Sequence, residues 1–478
     1  MTKIGILIRK YFPDIRFWIV LFFIIRLYGI WFPPIDAAHS WRQVTGNMVA
    51  RNFLETDANI FYPRVDMAGE KTGITGTEFP VLNYLIFLMA KVFGWQEWYG
   101  RLIVLLFSSL GIYFFYRIIK LKFPEKTAFY SSLILLVSNW FIYSRKIMPD
   151  TFSVSLVMIG LWYALNYFEN QNAKHLILSS LLILFGVLSK IPAILILCPM
   201  LLVFWSRSYK LESKIWFSAM MLPVMAIVYG WYYLWVPHLV ETYGYWHYYM
   251  GTSWQQGFAE LQEYLPQVLD KFYFDALKFS GFIAFLAGVF ILLFKSKKQN
   301  KKLLLHLLLW SSVLFFVFML KSGRNFAVHS YYIVPFVPIM ALVAGYAISS
   351  LKHKKWAILA LSIIAIEGVA NQQHDFRIPE NKQHMLQYSE VVEKFVQKDE
   401  LILVNGGANP TDLYFAHRKG WSMENDEIMQ LNVQDSLYSL GCRWILINKQ
   451  YKNYPNFASE MIVFSDPNFE IIRLKTNF

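Results

Sequence analysis

The sequence predicts an α-helical polytopic membrane protein of about eleven transmembrane helices plus an outer re-entrant or interfacial helix, ending in a small C-terminal α/β extracytoplasmic domain. Three observations predict it. Of 478 residues, 56% are hydrophobic and 18% aromatic, with a mean hydropathy of +0.36, whereas soluble domains are about 45–50% apolar. Apolar runs of about 16–21 residues recur along the chain, the length that crosses roughly 30 Å of hydrocarbon at 1.5 Å per residue. Finally, the strongly basic connections between these runs all fall on one side.

The runs lie at 17–33, 99–119, 126–143, 151–168, 175–189, 191–206, 215–236, 277–294, 303–320, 331–350 and 356–371. With a cytoplasmic N-terminus, the inner connections carry Arg117, Lys120, Lys122 and Lys126, then Lys174, then Arg207, Lys210 and Lys214. Lys295, Lys297, Lys298, Lys301 and Lys302 follow, and finally Lys352, Lys354 and Lys355. Counting the short apolar run 80–93 as a span, or merging 176–205 into one element, reverses this asymmetry. The run 80–93 therefore reads as the outer re-entrant or interfacial helix, and a tight turn is expected at Ser189–Lys190. Residues 34–98, 144–150, 237–276, 321–330 and the tail then lie outside. Residues 1–371 form the transmembrane domain and 372–478 the outer domain. In the tail Leu401–Val404, Trp444–Asn448, Ile462–Phe464 and Glu470–Leu474 read as strands, with a helix over 426–440.

The net charge of +13 is explained by these loops, so no nucleic acid partner is inferred. Cys198 sits in an apolar run and Cys442 in the tail, which does not make a disulfide framework. Lys3, Arg9, Lys10 and Arg16 precede an apolar stretch with no small-residue cleavage site, so the first run reads as a span of the cytoplasmic (inner) membrane and not as a cleaved signal.

The first outer loop reads Pro33-Pro34-Ile35-Asp36-Ala37-Ala38-His39-Ser40-Trp41-Arg42-Gln43. Two prolines end the first span. Apolar residues at 37, 41, 44, 48 and 49 then have helical spacing, as in a helix lying on the membrane surface. Asp36 at its start is either an N-cap, a role in which Asp is favoured, or a carboxylate general base at the water boundary. Asp150, after Pro149 and before the run 151–168, admits the same two readings. Arg145, Lys146, Lys190, Lys321 and Arg324 are cations in outer connections, where the charge rule disfavours them, and Arg26 lies inside the first run toward its outer end. They either contact headgroups and pair with Asp36, Glu78 or Asp150, or bind a lipid phosphate. Glu78 precedes Pro80 and the short helix, as a cap, a partner for an outer cation or a ligand for a sugar hydroxyl. His329, Tyr331 and Tyr332 stand at an outer boundary where an aromatic belt is expected in any case. The stretch Trp231–Trp254 is rich in Trp, Tyr and His, which suits sugar rings, isoprenoid chains or the bare interface alike. Neither a metal-ligand spacing nor a Gly-rich nucleotide loop is recognisable, so no metal or other cofactor is expected.

At these residues the sequence resembles the GT-C membrane glycosyltransferases, within them the bacterial relatives of the protein O-mannosyltransferases and of the lipid A aminoarabinose transferase. The resemblance covers about residues 17–371. It rests on Asp36 after the first span, Glu78-x-Pro80, Gly94 with Arg101-Leu102, Arg145 with Asp150, Leu188-Ser189-Lys190, and His329-x-Tyr331-Tyr332, in that order. It implies a polyprenyl-phosphate sugar donor and a hydroxyl-bearing lipid, glycan or protein acceptor at the outer surface. It also implies Asp36 as the base, Lys190, Arg145 and Arg324 as phosphate ligands, and His329 and Tyr332 along the donor site. Many relatives carry Asp-Glu in the first loop; here Asp36-Ala37 stands, with His39 and Arg42 close by to take over acceptor contacts. Two other classes share the topology. A transporter or flippase of a lipid-linked saccharide calls for mid-membrane polar residues and a repeat of two halves, neither of which the sequence shows. A polymerase or ligase using a diphosphate-linked glycan shares the outer basic residues.

Overall fold

The computed structural model describes residues 13–245, 251–294 and 300–474. Lys3, Arg9, Lys10, His247, Lys295, Lys297 and Lys298 lie outside these. The chain sorts into two compact units, the first drawn from Met1–Ile30, Arg101–Trp231 and Tyr249–His374, the second from Trp31–Gly100, Tyr232–Tyr248 and Asp375–Phe478.

The first unit is helical. Among the described residues, four helices are long and apolar enough to cross a membrane: Tyr99–Lys120, Pro149–Asn170, Leu211–Tyr243 and Lys301–Ser322. Leu265–Ala276 and Lys278–Phe294, bent by 94°, make a fifth if they count as one span. The other apolar runs form shorter helices, among them Ala173–Ser189 and Val337–Ser349, of 17 and 13 residues, about 20–25 Å long at 1.5 Å per residue. Val337–Ser349 is shorter than the run 331–350 because a separate tight turn, Ser330–Ile333, takes up the start of that run. At Lys190 the backbone turns extended, with φ −166 and ψ 116, and Pro192 begins the next turn. This is the break expected at Ser189–Lys190. Small residues let the helices touch: a Cβ on Gly345 would stand 2.6 Å from Ser131 Cα, and one on Gly186 would stand 2.6 Å from Val157 Cγ2.

The second unit is built on a five-stranded sheet of order β2-β1-β3-β5-β4, with β1 Leu401–Val404, β2 Gly420–Ser422, β3 Cys442–Asn448, β4 Ile462–Ser465 and β5 Phe469–Arg473. β1, β2 and β3 are parallel, and β5 is antiparallel to β3 and β4. Both faces are covered, which explains the unbroken apolar run Trp444–Ile447. Ile445 and Ile447 pack with Ile428 and Leu437 on one face. Trp444 and Leu446 pack on the other with Val44, Met48, Tyr388 and Leu413. Val44 and Met48 belong to helix Ser40–Glu55. The apolar stripe expected to lie on lipid is thus covered by the tail. Helix Val81–Phe93, 13 residues long, packs on it through Phe53, Tyr84 and Phe87, with ring centroids 5.0–6.2 Å apart.

A buried ion pair fastens this arrangement. Arg51 Nη2 donates to Asp66 Oδ2 at 2.8 Å and Nη1 to the Tyr414 carbonyl at 3.2 Å, while Asn52 Nδ2 donates to Asp66 Oδ1 at 2.8 Å. The loop carrying Asp66 runs along the edge of β2: Gly420 N donates to the Asp66 carbonyl at 3.0 Å, and Gly69 N to the Gly420 carbonyl at 2.8 Å. Gly69 adopts φ +62, and a Cβ there would come within 2.5 Å of Trp421 Cε2.

Candidate active site

In the second unit the loop before helix Ser40–Glu55 holds Asp36 as a buried carboxylate, 5% exposed. It is not an N-cap. Helix Ser40–Glu55 begins four residues later, after His39, whose backbone is left-handed at φ 66 and whose side chain makes no capping bond. Gln43 Nε2 donates to Asp36 Oδ2 at 2.9 Å. Ser40 Oγ and Lys382 Nζ donate to the Asp36 carbonyl at 2.9 and 3.0 Å, and Lys382 also reaches Ser40 Oγ at 3.3 Å. The carboxylate is thereby positioned by the side chain one turn into the helix, and its backbone by a lysine of the tail. Arg42 pairs with Glu78 at 2.9 Å, and Thr77 Oγ1 donates to the other Glu78 oxygen at 3.1 Å. Glu78 therefore meets a cation, Arg42, while the cap position of the short helix is held by Pro80.

In the first unit, Lys190 Nζ lies 2.7 Å from Asp150 Oδ1, and Asp150 is 4% exposed. Asp150 too is no cap: Met148 holds that position and Asp150 lies in the first turn, after Pro149. Its second oxygen, Oδ2, is buried and accepts no hydrogen bond among the described residues. The Lys190 ammonium sits 4.8 Å from the centroid of the Tyr331 ring and 5.9 Å from that of Tyr332. These residues line a small pocket with Phe318 and Pro335. The His329 ring stacks against both tyrosines, and Tyr143 OH meets Ser330 Oγ at 2.5 Å. A carboxylate–ammonium pair walled by aromatic rings presents charge in a dry setting, where it acts strongly on a reacting group.

The remaining cations fall into two sets. Arg145 is buried and donates through Nη2 to the Tyr28 carbonyl at 2.8 Å. Arg26 is fully buried; it donates to the Phe22 carbonyl at 2.9 Å and to Ser144 Oγ, beside the Phe141 ring at 5.9 Å. It has no carboxylate partner among the described residues. Arg324 turns elsewhere: its backbone N–H donates to Glu260 Oε2 at 2.6 Å and its guanidinium lies 5.6 Å from Tyr264. Lys321 likewise holds the Thr252 carbonyl and faces Trp254 at 5.1 Å.

The structure thus brings together Asp150, Lys190, His329, Tyr331 and Tyr332 in the first unit. In the second it sets Asp36 with Gln43 and Lys382, and Arg42 with Glu78. Gln43 and Lys382 escape sequence reasoning. Gln43 carries a weak signal, seven residues on from Asp36; Lys382 is 346 residues away and carries none. The tail also hides a satisfied polar cluster. Asp412 accepts from Asn448 Nδ2 at 3.0 Å and Tyr451 OH at 2.7 Å, and His384 Nε2 meets Asn448 Oδ1 at 3.1 Å. Burial pushes the Asp412 carboxyl up and His384 down from their usual ranges. Among the described residues no group of three or more His, Cys, Asp or Glu is placed to hold a metal ion.

Residues 77–233 match the dolichyl-phosphate-mannose-protein mannosyltransferase family. The fold is that of ArnT from Cupriavidus metallidurans, at a TM-score of 0.60 and 14% identity over 96% of this chain and 98% of that one. The resemblance to the GT-C membrane glycosyltransferases holds. ArnT bound to undecaprenyl phosphate matches equally. The archaeal oligosaccharyltransferase AglB from Archaeoglobus fulgidus, in complex with an inhibitory peptide and a dolichol-phosphate, matches at a TM-score of 0.56 and 11% identity over 92% of this chain and 70% of that one. An uncharacterised protein of Aquifex aeolicus (strain VF5) is 27% identical over 304 residues, 60% of this chain and 58% of that protein, so the chain spans less than two thirds of the relative's length.

Proposed function

We propose that this protein is an integral-membrane glycosyltransferase that moves a sugar from a polyprenyl-phosphate-linked donor to a hydroxyl of a lipid, glycan or protein acceptor on the outer face of the cytoplasmic membrane. The observation that carries the reading is the buried Asp36 carboxylate, fixed by Gln43 through one oxygen and by Lys382 through its own backbone. Undecaprenyl phosphate and dolichol-phosphate in the related structures support a lipid-phosphate donor.

In this reading Asp36 takes the proton of the acceptor hydroxyl. The acceptor oxygen forms a bond to the anomeric carbon as the bond from that carbon to the phosphate oxygen breaks, with inversion. Polyprenyl phosphate leaves carrying the electron pair, and cations stabilise it, the kind of charge stabilisation that often dominates catalysis. Lys190, oriented by Asp150 and Tyr331, is the first phosphate ligand; Arg26 and Arg145 are the others, whereas Arg324, expected as a further one, faces Tyr264 and has no part in this reading. His329 and Tyr332 line the donor site, and His39, Arg42 and Glu78 contact the acceptor.

The test is mass spectrometry of lipid-linked sugars and surface glycans from cells that express the protein, lack it, or carry Asp36→Asn. The expected result is a lipid-monophosphate sugar that accumulates, and one glycan that loses a residue, in both the null and the variant. Unchanged transfer by a folded Asp36→Asn protein overturns the assignment of the base. Transbilayer movement of the lipid without bond formation overturns the transferase reading itself.

A further inference from the structure

One cavity takes no part in this chemistry. It lies in the first unit, holds about 330 Å³, and is enclosed by helices Tyr99–Lys120, Pro149–Asn170 and Lys301–Ser322 together with segments 195–203 and 335–342. That volume falls in the usual range of small-ligand pockets, about 300–1,000 Å³. It is about twice the ~150 Å³ apolar void that already takes up benzene in an engineered core.

Its lining is sorted by polarity. Leu161, Leu165, Leu202, Leu307, Phe336 and Ile339 are among the apolar residues of its body. Lys122, Glu169, Ser206, Ser208 and Tyr209 gather at one end. That end belongs to connections which the distribution of Lys and Arg assigns to the cytoplasm. It is strongly basic: Arg117, Lys120, Lys122, Lys126, Arg207, Lys210 and Lys214 stand against Glu125, Glu169 and Glu212. At the mouth, Lys122 Nζ and Tyr209 OH converge on one oxygen of Glu169, at 3.4 and 3.1 Å. An ammonium and a phenol aimed at a single anionic oxygen are arranged as for a phosphate oxygen, with the carboxylate of the chain itself as the present occupant.

We propose that this cavity is a binding site for one acyl chain of an anionic glycerophospholipid of the inner leaflet, whose head phosphate displaces Glu169 from Lys122 and Tyr209. The charge at the mouth selects an anionic head, and the apolar body selects a hydrocarbon chain. The site shares with the Asp150–Lys190 pocket one lining residue, Pro335, and the inference does not rest on the transferase reading.

The experiment uses the full chain, purified in detergent, stripped of lipid, and offered phosphatidylglycerol, phosphatidylethanolamine or undecaprenyl phosphate before native mass spectrometry. The expected result is one retained phosphatidylglycerol per chain, with phosphatidylethanolamine retained less. Leu165→Trp, which fills the cavity, and Lys122→Glu, which reverses the charge at an exposed mouth, each reduce retention by about tenfold or more. Glu169→Gln raises it, because the competing carboxylate is removed. Retention unchanged across the three variants places the lipid on the outside of the bundle and overturns the proposal. Preferential retention of undecaprenyl phosphate that is lost in Leu165→Trp assigns the cavity to the donor chain and overturns it as well.

Discussion

Removing either member of the Asp150–Lys190 pair separates its structural from its chemical role. The carboxylate is 4% exposed and the lysine side chain 14%, at a separation of 2.7 Å. Truncating one partner of such a pair strands the other charge in a low-dielectric wall, which costs about 3–5 kcal/mol. Lys190→Met also removes the cation–π contact with Tyr331, worth about 0.5–2 kcal/mol. Asp150→Asn leaves the ammonium facing only the rings and is expected to cost about 3 kcal/mol. The double variant strands no charge, so it is expected to be more stable than either single one, with a coupling energy of about 2–3 kcal/mol. Thermal unfolding of the four proteins in detergent closes the cycle. Additive effects, with the double variant as unstable as the sum of the singles, refute the argument from burial. If Lys190 is also a phosphate ligand, the double variant recovers stability but not transfer. Recovery of both reduces the pair to a structural device.

Three more outcomes are expected. Gln43→Leu removes the Gln43 donor from Asp36 Oδ2 and is expected to lower kcat by about 10–100-fold with little change in folding, read from initial rates of sugar transfer. Gly69→Ala meets both a left-handed backbone and the Trp421 ring; a loss of about 2–4 kcal/mol is expected, visible as faster proteolysis within 57–75. The Glu55 carboxyl is held down to about 2, chiefly by its hydrogen bond with His417 at 3.1 Å. Its folded value lies below its ordinary 4.5, so its contribution is complete above pH 4.5 and is lost as the pH falls from there toward 2. Glu55→Gln is expected to flatten that part of the stability–pH curve, and an unchanged slope refutes the assignment.

Much of this architecture was legible in the chain, for reasons that can be named. The basic connections demanded a break near Ser189, and Lys190 supplies it with an extended backbone. The strands at 401–404 and 444–448 announce themselves because a sheet covered on both faces needs unbroken apolar runs. β2 did not, since Gly420-Trp421-Ser422 is a three-residue edge with no pattern of its own. Helical spacing at Val44 and Met48 revealed a face that must be covered, but periodicity cannot say by what, and the tail covers it. Asp36 resembled a cap because prolines precede it; the left-handed turn at His39 shifts the helix start and leaves the carboxylate to Gln43. Lys382 carried no local signal, because its partner is a backbone carbonyl hundreds of positions away.

The shared core of helix Ser40–Glu55 and the tail has a consequence for the ribosome. Met48 packs in the same cluster as Leu413, and the chain between them takes roughly 20–70 s to make at ~5–20 residues per second. For that interval the first loop has no partner for its apolar stripe, and Asp36 lacks Lys382. A transcript cut short before the tail therefore yields a chain whose early helices can insert while the loop bearing its candidate base never closes. Quality control would meet such a chain as a half-wrapped loop.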